Sequence, residues 1–164
     1  MFPSYVLREA EDLIALLRLQ GKMIATAESC TGGLIIGALT EIAGSSDVVE
    51  RGYVTYSNAA KSACLGVCQD LLADCGAVSQ RVAVAMAAGA VRYSEACVAV
   101  SVTGIAGPGG GSQEKPVGLV HIAAICGQHD PLHQEHRFGE IGRAEIRLKT
   151  VTAALMLARS ALTR

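Results

Sequence analysis

The sequence predicts an α/β protein in which a mixed central sheet lies between two helical layers, a three-layer α/β/α sandwich. Two observations lead to this prediction. Helical and strand patterns alternate along the chain, and residues 97–103 and 117–126 are largely apolar, as in strands that are covered on both faces. The chain has 164 residues, 51% of them hydrophobic. This is enough for one domain, 1–164, with a full core.

The first half of the chain is predicted from periodicity and turn residues. Residues 4–20 predict an amphipathic helix with Leu13 and Leu17 on its apolar face, and Gly21 supplies a stop signal. A short strand at 22–27, a sharp turn at 28–33 and an apolar helical run to about residue 43 follow. A second strand is expected at 48–57, and then a helix from about Asn58, whose short side chain is suited to cap it.

The second half repeats this alternation. Ser79 precedes a predicted helix at 80–94, in which many alanines permit close packing. The apolar strand 97–103 leads into a glycine-rich loop at 104–111, and a second buried strand is expected at 117–126. Residues 132–138 alternate like an edge strand, and apolar residues from Leu148 to Leu162 form the seam of a closing helix.

Charge and hydropathy exclude some kinds of binding partner for this protein. With 14 Lys+Arg against 15 Asp+Glu, the chain lacks the basic face that nucleic acids or anionic membranes require. Every apolar run is interrupted before the roughly 20 residues of a membrane span, and acidic residues within the first 20 positions are unlike a signal or transit peptide. We therefore expect a cytoplasmic protein that binds neither nucleic acid nor membrane.

The cysteines and histidines do not predict a metal site. Six cysteines in a chain this long and apolar need not form a disulfide framework, and Cys97 and Cys126 lie in apolar segments, where a thiol acts as a small hydrophobe. Cys64 and Cys68 are four residues apart, which is not the spacing that favours zinc. We expect no metal and no cofactor.

Three loops follow predicted strands, at 28–33, 56–61 and 103–111. In open α/β sheets, ligands bind at the carboxyl ends of strands, where backbone N–H groups are free. If the sheet brings these loops together, the site holds a hydroxyl, a lysine, a tyrosine and two glycine-rich anion cradles. Such a site is suited to hydrolysis of a phosphorylated substrate.

Ser29 is the candidate nucleophile, because it lies at a strand-to-helix turn where nearby amides could stabilise an oxyanion. The alternative is that it only caps the following helix. The chain has no Gly-x-Ser-x-Gly motif and all its histidines follow residue 120, so Lys61 at a helix start is the candidate base, with a solvated surface lysine as the alternative. Cys30 is a competing nucleophile, and the loop 107–111 is either an anion cradle or simply flexible.

Several motifs occur in a fixed order: TAESCTGG at 26–33, RGYVTYSN at 51–58 followed by Lys61, GAVS at 76–79, and VTGIAGPGG at 102–110 followed by KPVG at 115–118. Together they closely resemble the CinA C-terminal domain family over almost the whole chain. Stand-alone members of that family lack an N-terminal molybdopterin-binding-like domain, for which this chain has no room. The resemblance implies that a homodimer without a metal converts nicotinamide mononucleotide to nicotinate mononucleotide and ammonia, in pyridine nucleotide salvage.

The resemblance also implies residue roles. Ser29 would attack the carboxamide carbon, Lys61 would accept and return its proton, and Tyr56 would orient or relay between them. Residues of the two glycine-rich turns would bind the substrate, namely Glu28, Thr31, Gly32, Gly33, Thr103, Gly104, Gly107, Gly109 and Gly110. Because this chain offers few clustered cations, backbone amides should do most of the anion binding.

One corner departs from the family pattern, where Ile141-Gly142-Arg143 replaces the usual Gly-Asp-Arg. We expect Arg143 and Arg147 to lie on a solvated helix face, with a phosphate or a partner subunit as the alternative contact. Two other functions remain open from the sequence. One is a non-catalytic nucleotide-sensing or interaction domain linked to competence or DNA damage, and the other is an amidase acting on a different small amide.

Overall fold

Five strands form one mixed sheet in the computed structural model, which describes residues 1–164. The strands are β1 (Ile24–Glu28), β2 (Val49–Val54), β3 (Val98–Gly104), β4 (Leu119–Cys126) and β5 (Leu132–Arg137), in the order β2-β1-β3-β4-β5. β1 pairs in parallel with β2 and with β3, whereas β4 is antiparallel to both β3 and β5. The carboxyl ends of the three parallel strands therefore meet at one edge of the sheet.

Helices cover both faces of this sheet and confirm the three-layer sandwich. The helices α1 (Ser4–Gln20), α2 (Leu34–Thr40) and α6 (Arg143–Leu162) pack on one face, and α3 (Asn58–Leu65), α4 (Gln69–Cys75) and α5 (Gln80–Arg92) pack on the other. Residues 98–103 of β3 are all buried, because Val100 and its neighbours two positions away face α6 while Ala99 faces α5. None of the helices combines the length and the apolar content needed to cross a bilayer.

The predicted elements are present, with differences at their ends. The helix after the first turn ends at Thr40 rather than near residue 43, and β2 ends at Val54 rather than at 57. The predicted cap of α3 was one residue late, because the hydroxyl of Ser57 accepts the N–H of Ala60 and Asn58 is already helical. The helix α4 was missed, since its seven residues bury only Leu72 and give little periodic signal.

Candidate active site

A cleft of about 200 Å³ opens at the carboxyl ends of the parallel strands, and all three predicted loops contribute to its wall. Two further segments complete the wall, the loop that precedes α5 and the first residue of α6. The lining residues are Ser29, Cys30, Tyr56, Asn58, Lys61, Ala77, Val78, Thr103, Gly104, Ala106 and Arg143. The structure thus brings together the predicted hydroxyl, lysine and tyrosine, which are distant in sequence.

Lys61 and Ser29 form a buried hydrogen-bonded pair in this cleft. The Lys61 Nζ lies 3.1 Å from Ser29 Oγ and donates to the carbonyl oxygen of Thr55 at 2.8 Å. Lys61 is 1% exposed, and this burial lowers the pKa of its amine from the ordinary lysine value. A neutral amine can accept the Ser29 hydroxyl proton at this distance, so the geometry would allow Lys61 to act as a base toward Ser29. The solvated-lysine alternative is wrong.

Glu28 precedes residues 29–33, the nucleophile turn, which holds the candidate nucleophile Ser29. Glu28 itself does not line the cleft. Its carboxylate is fully buried and accepts five hydrogen bonds, from the Thr26 and Thr31 hydroxyls and from the N–H groups of Gly33, Ile35 and Ile36. Three of these donors belong to the N-terminus of α2, where backbone N–H groups lack helical partners. The structure therefore makes Glu28 the anchor of the turn rather than a group that faces substrate.

The backbone amides of the turn are mostly used within the chain. Ser29 N–H donates to Val102, Gly32 N–H donates to the Ser29 carbonyl at 3.1 Å, and Gly33 N–H donates to Glu28. The N–H groups of Cys30 and Thr31 donate to no other residue of the protein, the Cys30 N–H facing only its own thiol, and of these two residues only Cys30 lines the cleft. The oxyanion donors were expected around Thr31, Gly32 and Gly33, but the N–H available beside Ser29 is that of Cys30.

Gly32 and Gly33 shape the turn, and neither lines the cleft. Their φ angles are +61° and +93°, in the left-handed region that side chains rarely adopt. These two conformations turn the chain from β1 into α2. The Thr31 hydroxyl is likewise used, since it donates to Glu28 at 2.6 Å.

The Cys30 thiol is not suited to act as the nucleophile. It is buried, and desolvation raises its pKa to about 12. A thiol that stays protonated at neutral pH is a poor nucleophile, because the thiolate is the reactive form. Of the two neighbouring candidates, the geometry favours Ser29.

Tyr56 lies at the rim of the cleft with 64% of its surface exposed. Its hydroxyl accepts a hydrogen bond from Arg143 Nη2 at 3.1 Å and makes none with Ser29 or Lys61. The structure thus places Tyr56 where it can orient a ligand, and it does not show the relay between nucleophile and base that was expected.

The expectation of a solvated helix face is wrong for Arg147, which is partly buried, whereas Arg143 is exposed as expected but also contacts the cleft loops. Arg143 Nη1 donates to the carbonyl oxygen of Gly107 at 2.8 Å. Arg147 donates through Nε to the Cys30 carbonyl at 3.1 Å and through Nη2 to the Thr31 carbonyl at 2.7 Å. The sequence carries one signal for these contacts, which is two arginines four residues apart at the start of a helix. No local pattern shows which loops the two side chains contact.

The third loop borders the cleft and continues past it. Thr103 and Gly104 line the cleft; the Thr103 hydroxyl donates to Ala77 at 2.8 Å, and a Cβ on Gly104 would lie 2.7 Å from the Val120 side chain. Gly107, Gly109 and Gly110 line neither this cleft nor its neighbour. Their N–H groups donate to no group of the protein, which leaves them available to an anion.

A second cleft of about 190 Å³ adjoins the first, and Ala106 and Arg143 belong to both. Its other walls come from Pro108, Val117, Glu140 and Gly142. Arg143 therefore places a guanidinium between the Ser29 cleft and the glycine-rich loop. No group of three or more His, Cys, Asp or Glu side chains is arranged to hold a metal ion.

Comparisons with known proteins identify the family of the chain. The family model described as the CinA C-terminal domain matches residues 7–162. A protein of Escherichia coli K12 named nicotinamide-nucleotide amidohydrolase PncC is 50% identical over 123 residues, which cover 75% of this chain and 74% of that protein. A CinA-like protein of Syntrophobacter fumaroxidans is 51% identical over 141 residues, which cover 86% of this chain and 33% of the longer protein.

The architecture is also shared with solved structures. The crystal structure of the competence/damage inducible protein CihA from Agrobacterium tumefaciens matches with a TM-score of 0.97 and 55% identity, covering 100% of this chain and 99% of that one. A CinA superfamily protein from Klebsiella pneumoniae matches with a TM-score of 0.90 and 30% identity over 96% and 98% of the two chains. Sequence and structure agree that the chain belongs to the CinA C-terminal domain family.

Proposed function

We propose that the protein hydrolyses the carboxamide of nicotinamide mononucleotide to give nicotinate mononucleotide and ammonia, with Ser29 as nucleophile and Lys61 as base. The observation that carries the proposal is the buried contact of 3.1 Å between Lys61 Nζ and Ser29 Oγ at the cleft. The substrate is taken from the name of the E. coli relative. The chemistry follows from the residues of the cleft.

In the first step, Ser29 Oγ attacks the carboxamide carbon and its proton passes to the neutral Lys61 amine. The carbonyl oxygen becomes an oxyanion that accepts the free Cys30 N–H. The Lys61 ammonium then gives its proton to the amide nitrogen, the C–N bond breaks and ammonia leaves an acyl-serine. In the second half, Lys61 takes a proton from water, and the hydroxide attacks the acyl carbon. The bond to Ser29 Oγ then breaks as the Lys61 proton returns to that oxygen, and the carboxylic acid formed loses its remaining proton to solvent to give the carboxylate.

The base works because the fold keeps its amine out of water. A lysine must lose its proton to act as a base, and burial lowers the pKa of Lys61 toward the working range. No carboxylate forms an ion pair with it, since its hydrogen-bond partners are a hydroxyl and a carbonyl. An ion pair would favour the ammonium form and weaken the base.

The two adjoining clefts suggest how a nucleotide lies. The first cleft, at about 200 Å³, is smaller than the roughly 300 Å³ of typical ligand sites. We place the pyridine ring there, with the exposed Tyr56 ring beside it, and the ribose and phosphate toward the second cleft. Arg143, which lines both clefts, then faces the phosphate, and the free amide of Gly107 lies between the wall residues Ala106 and Pro108 of the second cleft. The anion is held by a guanidinium as well as by backbone.

We also propose a homodimer that acts in the bacterial cytoplasm, in pyridine nucleotide salvage. The resemblance of the motifs to stand-alone family members supports this setting. Tyr5 and Met156 are 44% and 46% exposed and border the same shallow groove beside α6, a kind of surface that a second copy can cover.

The test measures ammonia release from nicotinamide mononucleotide by the wild type, Ser29→Ala and Lys61→Met. Arg92→Met, which removes an exposed cation at the end of α5, away from both clefts and from the groove beside α6, is the control. We expect release by the wild type and the control only. Equal rates in all four proteins would end the proposal. Ligand binding without turnover by the wild type would instead favour a nucleotide-sensing domain.

A second comparison tests the substrate. Nicotinamide, its riboside and its mononucleotide carry the same carboxamide and differ in the ribose and the phosphate. We expect kcat/KM to rise with each added group and to be highest for the mononucleotide. A preference for free nicotinamide would point to an amidase for another small amide.

A further inference from the structure

Arg147, on the second turn of α6, makes two hydrogen bonds to the backbone of the nucleophile turn. Its Nε donates to the Cys30 carbonyl at 3.1 Å and its Nη2 donates to the Thr31 carbonyl at 2.7 Å. The guanidinium is partly buried and forms no salt bridge, in contrast to Arg159 of the same helix, which pairs with Glu9 and Asp12. A charged group without a carboxylate partner is thus directed at two peptide carbonyls.

One of these carbonyls, that of Thr31, is linked to the free N–H beside the nucleophile. The Thr31 carbonyl belongs to the same peptide unit as Gly32 N–H, which donates to the Ser29 carbonyl at 3.1 Å. The Ser29 carbonyl in turn shares a peptide unit with Cys30 N–H, which has no acceptor in any other residue and faces only its own thiol. A chain of two hydrogen bonds and two planar peptides therefore joins the Arg147 guanidinium to the Cys30 N–H.

A hydrogen bond to a carbonyl oxygen polarises its peptide unit and makes the N–H of that unit a stronger donor. Bonds in such chains strengthen one another by roughly 10–30% each, and more where a charged group starts the chain. The effect grows with the charge on the final acceptor. It is small for a neutral carboxamide oxygen and largest for the oxyanion of the tetrahedral intermediate.

We propose that Arg147 is a positioning residue for the hydrolysis, which holds the nucleophile turn and polarises the Cys30 N–H toward the developing oxyanion. This inference rests on the proposed function. It assigns the charge of Arg147 a role in the transition state, distinct from the role of Arg143 at the nucleotide. A side chain on Gly32 would crowd the guanidinium, since an added Cβ would lie 3.3 Å from Arg147 Nη2.

Two substitutions separate the charge of Arg147 from its hydrogen bonds. Arg147→Gln keeps a neutral N–H donor, and Arg147→Lys keeps a positive charge. Arg159→Met is the matched control, because it removes a guanidinium from the same helix without touching the turn. Each folded variant is assayed for ammonia release from nicotinamide mononucleotide. We expect Arg147→Gln to lose tenfold or more in kcat with KM within about threefold, and Arg147→Lys to stay within about threefold of the wild type in kcat.

A second readout uses an analogue with an aldehyde in place of the carboxamide, which Ser29 converts to a tetrahedral adduct. Arg147→Gln should raise the inhibition constant of the aldehyde about as much as it lowers kcat, and should leave that of the product unchanged. With a purely structural role, Arg147→Gln would not raise the inhibition constant of the aldehyde relative to that of the product, and it would not lower kcat relative to KM.

The outcomes distinguish this inference from the proposed function. A wild type that releases no ammonia refutes the function and this inference with it. An active wild type overturns the inference alone if Arg147→Gln equals it in kcat, if Arg147→Gln exceeds Arg147→Lys, or if the loss is confined to KM. If Arg147→Gln does not fold, a folded Arg147→Lys that loses tenfold or more in kcat refutes the role of the charge.

Discussion

Replacing Lys61 by Met should remove a distinct pH dependence from the stability of the fold. Burial lowers the pKa of Lys61 in the folded state below its ordinary value of 10.5, which an unfolded chain retains. Between the lowered pKa and about 10.5, the unfolded state binds the proton and the folded state does not. The contribution of Lys61 to the free energy of unfolding therefore rises with pH between these two pKa values and is constant at lower pH.

The size of the effect follows from linkage. A difference of one bound proton gives a slope of about 1.4 kcal/mol per pH unit. Taken as a difference between wild type and Lys61→Met, the slope cancels the titrating groups that do not interact with Lys61, which leaves Cys30 as the one neighbour coupled to it. Lost hydrogen bonds to Ser29 and Thr55 add a cost that does not vary with pH. The difference in unfolding free energy should thus climb by up to about 1.4 kcal/mol per unit as pH approaches 10.5.

The assay is urea unfolding at pH values from about 7 to about 10, with the difference plotted against pH. The same measurement on Lys149→Met, at an exposed lysine, should give a flat line. A flat line for Lys61→Met as well would mean that the buried amine titrates like a solvated one, and the assignment of Lys61 as base would lose its physical basis. In the same logic, kcat/KM of the wild type should fall as pH drops through the lowered pKa.

Three further predictions concern the groups around the pair. Glu28→Gln should lower the unfolding free energy by about 2–4 kcal/mol, since an amide NH₂ must face at least one of the buried N–H donors; a loss under about 1 kcal/mol in urea unfolding would contradict this. Cys30→Ala keeps the backbone N–H, so its kcat should stay within about tenfold of the wild type, whereas complete loss of ammonia release would make the thiol the nucleophile. Arg143→Met should raise KM for nicotinamide mononucleotide at least tenfold and change kcat/KM for free nicotinamide little; equal changes for both substrates would remove Arg143 from the phosphate.

Much of the fold could be predicted because its signals are local. The apolar period of α1, the buried runs of β3 and β4 and the glycine that ends α1 are visible within short windows of sequence. The helix α4 could not be predicted, since a seven-residue helix with one buried side chain resembles a loop. Its position depends on packing against α3 and α5 rather than on its own pattern.

Some features of the candidate site could likewise be predicted from the sequence, and others could not. The meeting of Ser29 with Lys61 was predicted from the motifs, and the parallel pairing of β1 with β2 brings the two loops together. The free Cys30 N–H could not be predicted, because the position of the Glu28 carboxylate determines which N–H groups of the turn already have an acceptor. The contacts of Arg147 were also invisible, since 117 residues separate it from Cys30 along the chain.

The placement of Glu28 resolves a difficulty in the chemistry of the turn. A carboxylate one residue before the nucleophile would oppose an oxyanion and, if it met Lys61, would hold the amine in its charged form. The fold directs Glu28 toward the N-terminus of α2 instead, where five donors take up its charge. Lys61 is then left with a hydroxyl and a carbonyl, and the positive charge of Arg147 faces the turn. Glu28 therefore acts on stability and on the shape of the turn, while in the proposed mechanism the proton transfers belong to Lys61.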